Sequence, residues 1–554
     1  MDALARAGEL DERALDRLTK RHPKPGGGLF SKSEIIAGYR AFGGPIAERE
    51  FAGRLRLRPV RTLSGVTPVT VLTRPFPCPG ACIFCPSDVR MPKSYLADEP
   101  GAQRAEDNRF DPYLQTWNRL AAYRAMGHPV EKVELIVLGG TWSAHPEPYQ
   151  VWFALRCFEA MNDFGSGVDG RAQAGAAPAD YRGLPAIDGR GERLYNDVVR
   201  RVALSHVAET AEWSALAAAQ QSNERALVRC VGLSFETRPD HVSEAEVLRL
   251  RRLGATKIQL GIQSLSDAVL RANRRGHDVD ASRSALRRLR AAGLKLHVHW
   301  MPNLLGATPE TDAADFERLF TDPDFRPDEL KVYPCLLVES AQLVQAWERD
   351  EWRPYPDDVL LRLLEHCLER TPRYCRLTRV VRDFSSHDIV AGTRVANFRE
   401  VAQRSLASRG EACVEIRARE IRGTRFEREA LDLRTTRYAT SLAEERFLEF
   451  TTREDRLVAF LRLSLPRERS FVGELARAAV IREVHVYGES LPLRERGGAR
   501  AQHSGLGRAL VEEAARQAAA AGHARLAVIS AVGTRVYYRA LGFEDGQLYQ
   551  ARPL

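Results

Sequence analysis

The sequence predicts an α/β protein in which a complete or partial TIM-like (β/α) barrel precedes a smaller α/β domain. Three observations carry that expectation. The chain has 554 residues, more than one ordinary hydrophobic core accommodates. Short apolar runs alternate with helix-period segments through its middle, as in strand–helix repeats. After residues 397–422, which are Arg-rich and mixed, the pattern changes style. No run approaches the roughly 18 apolar residues that span a bilayer. Residues 1–25 mix both charges without an apolar centre, unlike a secretory leader. The expected compartment is the cytoplasm, with no membrane partner. An odd count of nine cysteines fits that placement, because it argues against a disulfide framework.

Taken in order, residues 1–60 read as a short helical, basic extension punctuated by Gly26, Gly27 and Gly28. Arg17, Lys20, Arg21, Lys24 and Lys32 lie there. Arg54, Arg56 and Arg58 alternate, which predicts a strand with three guanidinium groups on one side. With a net charge of +9, this points to a polyanionic partner. The barrel is expected over residues 61–395. Its strands are read at 133–138, 231–235, 258–262, 294–299 and 330–333, with a helix at 281–292 that Gly293 stops. Residues 164–192, rich in Gly, Ala and Asp, read as an inserted loop. The second domain, 396–554, begins with a linker. Strands follow at 445–451, 456–463 and 480–486, then a helix at 507–520, a strand at 525–530 and a short helix at 537–541.

Residues 75–86 place Cys78, Cys82 and Cys85 in the spacing C-x-x-x-C-x-x-C. Three thiolates on a tight loop bind three irons of a cubane cluster and leave the fourth open. The rival reading is zinc. Structural zinc takes four protein ligands, and no fourth Cys or His lies close in sequence. The spacing is also similar to that of the radical S-adenosylmethionine superfamily. That resemblance implies a [4Fe–4S] cluster on these three cysteines, shielded by Phe84, and S-adenosylmethionine cleaved to a 5′-deoxyadenosyl radical. Other polar residues fall at strand ends, the active face of βα barrels. Gly139 and Gly140 close one strand, Glu236 ends the next, and Gln263 the one after. Cys335, Cys375, His387 and Cys413 near the domain junction leave a second, zinc-type site open.

In the second domain, Gln502, Gly505 and Gly507 form Q-x-x-G-x-G at the start of an amphipathic helix, a backbone cradle for pyrophosphate. A strand through Glu483, Val484, His485 and Val486 precedes it, and Tyr537-Tyr538-Arg539-x-x-Gly542-Phe543 follows. This order resembles GNAT acetyltransferases and implies acetyl-CoA. Tyr537 and Tyr538 are the candidate catalytic residues, to orient the thioester or protonate a leaving thiolate.

The two domains on one chain resemble the catalytic subunit family of Elongator, which modifies the tRNA wobble uridine. The likeness runs through residues 59–65, 92–95, 110–113, 132–135, 236–240, 261–264, 273–277 and 325–328. It implies a tRNA uridine(34) acetyltransferase, in which acetyl-CoA and a deoxyadenosyl radical yield 5-carboxymethyluridine in the anticodon stem-loop. The family's acetyl-CoA contacts fall on Lys132, Glu483 to Val486, Leu506, Gly507, Arg508 and Tyr538. Eukaryotic relatives space the first two cysteines more widely, and Val536 stands where relatives often carry Asn. A protein lysine acetyltransferase with a structural cluster domain is the main alternative. A tRNA-binding module with both catalytic halves decayed is the other, and the intact motifs argue against it.

Overall fold

A computed structural model describes residues 12–44, 46–58, 62–174, 192–203, 209–382, 384–422, 426–488 and 505–554. Seven parallel strands build the first sheet in chain order: β1 (Thr67–Leu72), β2 (Lys132–Leu138), β3 (Arg229–Thr237), β4 (Lys257–Gln263), β5 (Lys295–Trp300), β6 (Glu329–Val332) and β7 (Arg376–Val380). Adjacent strands are in register from Thr67↔Val133 through Val332↔Val380. β1 and β7 form the two edges, so the barrel is partial. Residues of all seven strands, from Thr70 to Thr378, line one cavity, which shows how far the sheet curls.

The five central strands lie where their apolar runs predict them, and the two edge strands do not announce themselves. Arg376–Val380 alternates polar and apolar because one face looks into a polar lumen. The helix Val279–Ala291 buries Val279, Ser282, Leu286 and Leu289, one stripe at helical spacing. Asp278 caps it by accepting from the Ala281 N–H at 2.8 Å, and Gly293 ends it at φ 70°. The expected inserted loop is shorter than 164–192. Helix Glu147–Ser166 runs into it, and residues 175–191 lie outside the described residues.

The predicted arginine strand is corrected. Arg54 lies in helix Glu48–Leu55, whose Phe51, Ala52 and Leu55 bury one helical face. It pairs with Glu50 at 2.7 Å, Arg56 Nε donates to the Gly127 carbonyl at 3.2 Å, and Arg58 turns at φ 52°. Burial at i and i+4 sets the local structure here, so the three guanidinium groups share no strand face. The N-terminal helices have a small core of their own, with Tyr39 stacked on Phe51 at 3.8 Å.

The second sheet is mixed. β8 (Asp432–Ala439), β9 (Ala443–Thr451), β10 (Leu457–Pro466), β11 (Ala479–Val486), β12 (Arg525–Val528), β13 (Glu544–Asp545) and β14 (Gln550–Pro553) pair in the order β8-β9-β10-β11-β12-β14-β13. β8 is largely exposed and carries no apolar run, which hides it from a periodicity reading. The parallel β11–β12 pairing covers only Ala479–Ile481 against Leu526–Val528. Beyond it, Glu483–Val486 has no β12 partner, and the two strands splay apart. Helix Leu506–Ala520 covers the sheet through Leu510, Val511, Ala514 and Ala518.

The two sheets share one continuous hydrophobic core, threaded by buried charge. Asp328, at the start of β6, accepts from Arg482 Nη1 at 2.8 Å and Nη2 at 2.6 Å, and Arg462 lies 3.4 Å away. All three are essentially fully buried. Each desolvated charge is matched, as burial requires. Cys335 and Cys375 are buried in separate surroundings. Among the described residues, Cys335, Cys375, His387 and Cys413 do not converge; His387 instead meets Asp98 and Asp388. Among the described residues, no helix is long and apolar enough to cross a membrane.

Candidate active site

Two cavities open at opposite ends of the barrel lumen. The first lies at the C-terminal ends of the strands, encloses about 160 Å³, and is bordered by Cys78, Cys82 and Cys85. The loop that presents them is fixed from several sides. The Cys78 N–H donates to Asn196 Oδ1 at 3.0 Å, and Asn196 Nδ2 donates back to the Cys78 carbonyl at 3.2 Å. The Ile83 N–H donates to the Asn273 carbonyl at 3.3 Å. Gly80 leaves room for Arg238, whose guanidinium a Cβ would strike.

The electrostatics favour thiolate. Arg275 Nη1 donates to Cys82 Sγ at 3.2 Å, and Arg238 Nη1 approaches it at 3.8 Å. Hydrogen bonding from the Cys85 thiol, then the charges of Arg275 and Arg238, hold Cys82 well below the usual thiol range. Cys85 is pushed up as the donor of that pair, and burial raises Cys78. Three sulfurs against a cationic wall fit an anionic metal–sulfur group that keeps one open position.

The same cavity has the features of a ligand cradle. Gly139 and Gly140 adopt φ 126° and 93°, conformations that other residues rarely take. Gln263 sits at φ 71°, and its buried Oε1 has no hydrogen-bond partner among the described residues. Strain and an orphaned acceptor at one residue mark a place that a ligand completes. Tyr95 OH donates to Glu236 Oε2 at 3.3 Å, and His299 Nδ1 lies 3.7 Å from Glu236. The sequence reading missed Lys93, Tyr95, Arg275 and His299 as site residues. Lys93 and Tyr95 fall in the quoted segment 92–95, and Arg275 in 273–277, so family likeness was the available signal.

The second cavity, about 450 Å³, lies between the barrel and the second sheet. Glu134, Lys257, Lys295 and Glu329 form its barrel wall, and Glu483, Val484, His485 and Tyr538 border it from the splayed strands. Burial alone would raise Glu483, but Lys295 and Arg462 hold it down at about 2. Arg462 Nε donates to Glu483 Oε2 at 2.8 Å, and Lys295 bonds the other oxygen. Burial pushes His485 down to about 4, so it is neutral near pH 7; its Nε2 has no hydrogen-bond partner among the described residues. Lys132 starts β2 on the face shared with Glu134, and burial and then Arg229 lower it.

The two tyrosines part company. Tyr537 is 42% exposed, and its hydroxyl would lie 3.0 Å from a Cβ at Gly507. Tyr538 is buried and borders the second cavity; burial, then Tyr537 and Glu483, raise it. Gly505 at φ 78° opens helix Leu506–Ala520, whose first turn has no side-chain cap among the described residues and lies beside Val486 and the exposed Arg508. Gln502 lies outside the described residues.

Comparison with known proteins agrees with this geometry. The Radical SAM superfamily matches residues 192–318, and the Radical_SAM C-terminal domain matches 327–408. A curled parallel sheet with three thiols at its C-terminal strand ends defines a radical SAM enzyme. Among curated relatives, the tRNA uridine(34) acetyltransferase of Methanocaldococcus infernus is 35% identical over 516 residues, covering 90% of this chain and 88% of that one. That of Dehalococcoides mccartyi is 37% identical, covering 87% and 96%. Elongator complex protein 3 of Danio rerio is 32% identical, covering 92% and 88%. The solved structure of archaeal Methanocaldococcus infernus Elp3, with an N-terminal deletion, aligns at TM-score 0.70 and 32% identity, covering 89% of this chain and 100% of that one. The chain belongs to the family of tRNA uridine(34) acetyltransferases and Elongator complex protein 3.

Proposed function

We propose that this chain forms 5-carboxymethyluridine at the wobble position of tRNA from acetyl-CoA and S-adenosylmethionine. The observation that carries the reading is the contiguity of the two cavities, which share Leu138, Lys331 and Arg379. An acyl group presented by the second sheet can therefore meet a reactive carbon generated over the thiols without crossing bulk water.

In this reading Cys78, Cys82 and Cys85 hold a [4Fe–4S] cluster, and Gly139, Gly140, Glu236 and Gln263 hold S-adenosylmethionine. When bound, that pair supplies a one-electron cleavage whose carbon radical can take hydrogen from an acetyl methyl group. Arg275 and Arg238 keep Cys82 ionised. The helix N-terminus from Gly505 to Arg508, with Lys132 and Gln502, takes the phosphates of CoA. Glu483 to Val486 flank the thioester arm in the splay. Tyr538, buried beside the acyl cavity, holds the proton that a departing thiolate accepts, whereas Tyr537 stands over the phosphate end.

Residues 61–395 form the radical unit and 396–554 the acetyl unit. Residues 1–60 face the anticodon stem-loop, where Arg17 and Arg21 are exposed. The target uridine reaches the site unstacked. The test is anaerobic incubation of cluster-loaded protein with S-adenosylmethionine, acetyl-CoA and tRNA, followed by nucleoside mass spectrometry. Carboxymethyluridine with an equal yield of deoxyadenosine is expected. Acetylated protein lysines without the modified nucleoside would instead establish the lysine acetyltransferase reading.

A further inference from the structure

The lysines of the barrel lumen are not alike. Lys257 is bridged to Glu134 and, at 3.1 Å, to Glu329. Lys295 is bridged to Glu483 and, at 2.8 Å, to Glu329. Each is held between two carboxylates. Lys331, two residues beyond Glu329 on β6, makes no ion pair among the described residues. Its Nζ donates to a neutral amide oxygen, Gln259 Oε1, at 2.6 Å. An ammonium carries three donors, so two remain for the cavities on either side.

The neighbouring groups sharpen the contrast. Gln259 is itself fixed, since its Nε2 donates to Ser234 Oγ at 3.2 Å and its Oε1 also faces His299 Nε2 at 3.2 Å. Burial holds His297 and His299 well below the usual imidazole range, and the charge of Lys331 depresses both further. They are therefore neutral near pH 7; besides Lys331, Arg382 and Arg275 act on His299, and Lys257 and Lys295 on His297. Lys331 also borders both cavities, one of the three residues that line both.

A cation in a water-poor lumen is strongest when it meets an oxygen that carries partial negative charge. A short acyl thioester has one such oxygen on its acyl carbon. That carbon is planar, with oxygen, sulfur and alkyl substituents diverging from it. If the sulfur lies in the β11–β12 splay and the oxygen on Lys331, the remaining substituent points into the thiol cavity. We infer that Lys331 binds the acyl oxygen of a short-chain acyl thioester and so aims its alkyl carbon at the thiol end. The inference rests on the reading of the second cavity as an acyl-CoA site.

The experiment uses the full chain without cluster loading, so it does not depend on turnover. Affinities for acetyl-CoA and for S-ethyl-CoA, which lacks the acyl oxygen, are compared by calorimetry. The carbonyl stretch of bound [1-13C]acetyl-CoA is read by isotope-edited infrared. The wild type should prefer acetyl-CoA by about tenfold, the size of one charge-assisted hydrogen bond, and should lower the carbonyl frequency. Lys331→Met should bind S-ethyl-CoA as the wild type does, which also reports its folding, but lose both the preference and the shift. Lys331→Arg should retain part of each. A Lys331→Met protein that keeps the preference and the shift overturns the role of Lys331 alone. A wild type that binds neither ligand overturns the acyl-CoA site itself.

Discussion

The two ends of the barrel lumen are built from the same strands and pair their lysines differently. At the N-terminal ends, toward the second sheet, Lys257 and Lys295 are each clamped between carboxylates, and Asp328 is clamped between arginines. At the C-terminal ends, Lys93 donates to Ser87 Oγ at 2.6 Å, and Arg275 donates to the Gly261 carbonyl and Cys82 Sγ. Among the described residues these two cations meet no carboxylate, whereas Arg238 and Arg382 beside them pair with Asp240 and Glu99. The difference teaches that buried charge is informative about function only once its partner is known.

The sharpest way to break the comparison is at the thiols. Cys82→Ser should abolish cluster incorporation, read as loss of the visible absorbance after reconstitution, and leave thermal stability close to wild type. A large drop in melting temperature instead would give the thiol end a structural role. The next effect is at the other end. Asp328→Ala leaves Arg482 and Arg462 buried without their shared carboxylate, at a cost of about 3–5 kcal/mol in urea unfolding. A loss below about 1 kcal/mol would show that water reaches this interface.

The smallest effect concerns pH. His485 is neutral in the folded protein, with its value at about 4, whereas the ordinary value is 6.5. The unfolded chain therefore binds the proton first as pH falls. Stability from this group is complete above 6.5 and is lost progressively toward 4, by about 3 kcal/mol. His485→Phe, which keeps a ring over Phe460, should remove that part of the acid sensitivity and leave stability at pH above 7 nearly unchanged. Unfolding curves of the two proteins across the window measure it. Equal slopes with pH would mean that His485 is already hydrated in the folded state.

The sequence by itself determined the elements that carry an apolar run or stripe long enough to read locally. The five central barrel strands each carry one although their lumen side bears Glu134, Lys257, Lys295 and Glu329, and helix Leu506–Ala520 carries a clear stripe, so both could be read directly. The C-x-x-x-C-x-x-C spacing likewise located all three thiols, because a short loop brings them to one place whatever surrounds it. Elements with a mixed environment escaped. Strand β7 has only Leu377 and Val380 as apolar residues, β8 faces solvent, and Arg54, Arg56 and Arg58 sit at a helix end instead of along a strand.

Only the tertiary structure decided which charges are spare. Lys257, Lys295 and Lys331 are equivalent in sequence, each a lysine on a parallel strand. Carboxylates from distant strands neutralise the first two and not the third. It also separated Tyr537 from Tyr538, adjacent residues that a short helix turns toward Gly507 and the second cavity respectively. Local spacing fixes what a short loop or one helix face can do. Contacts between strands far apart in the chain fix the rest, because desolvation and ion pairing depend on neighbours that only folding supplies.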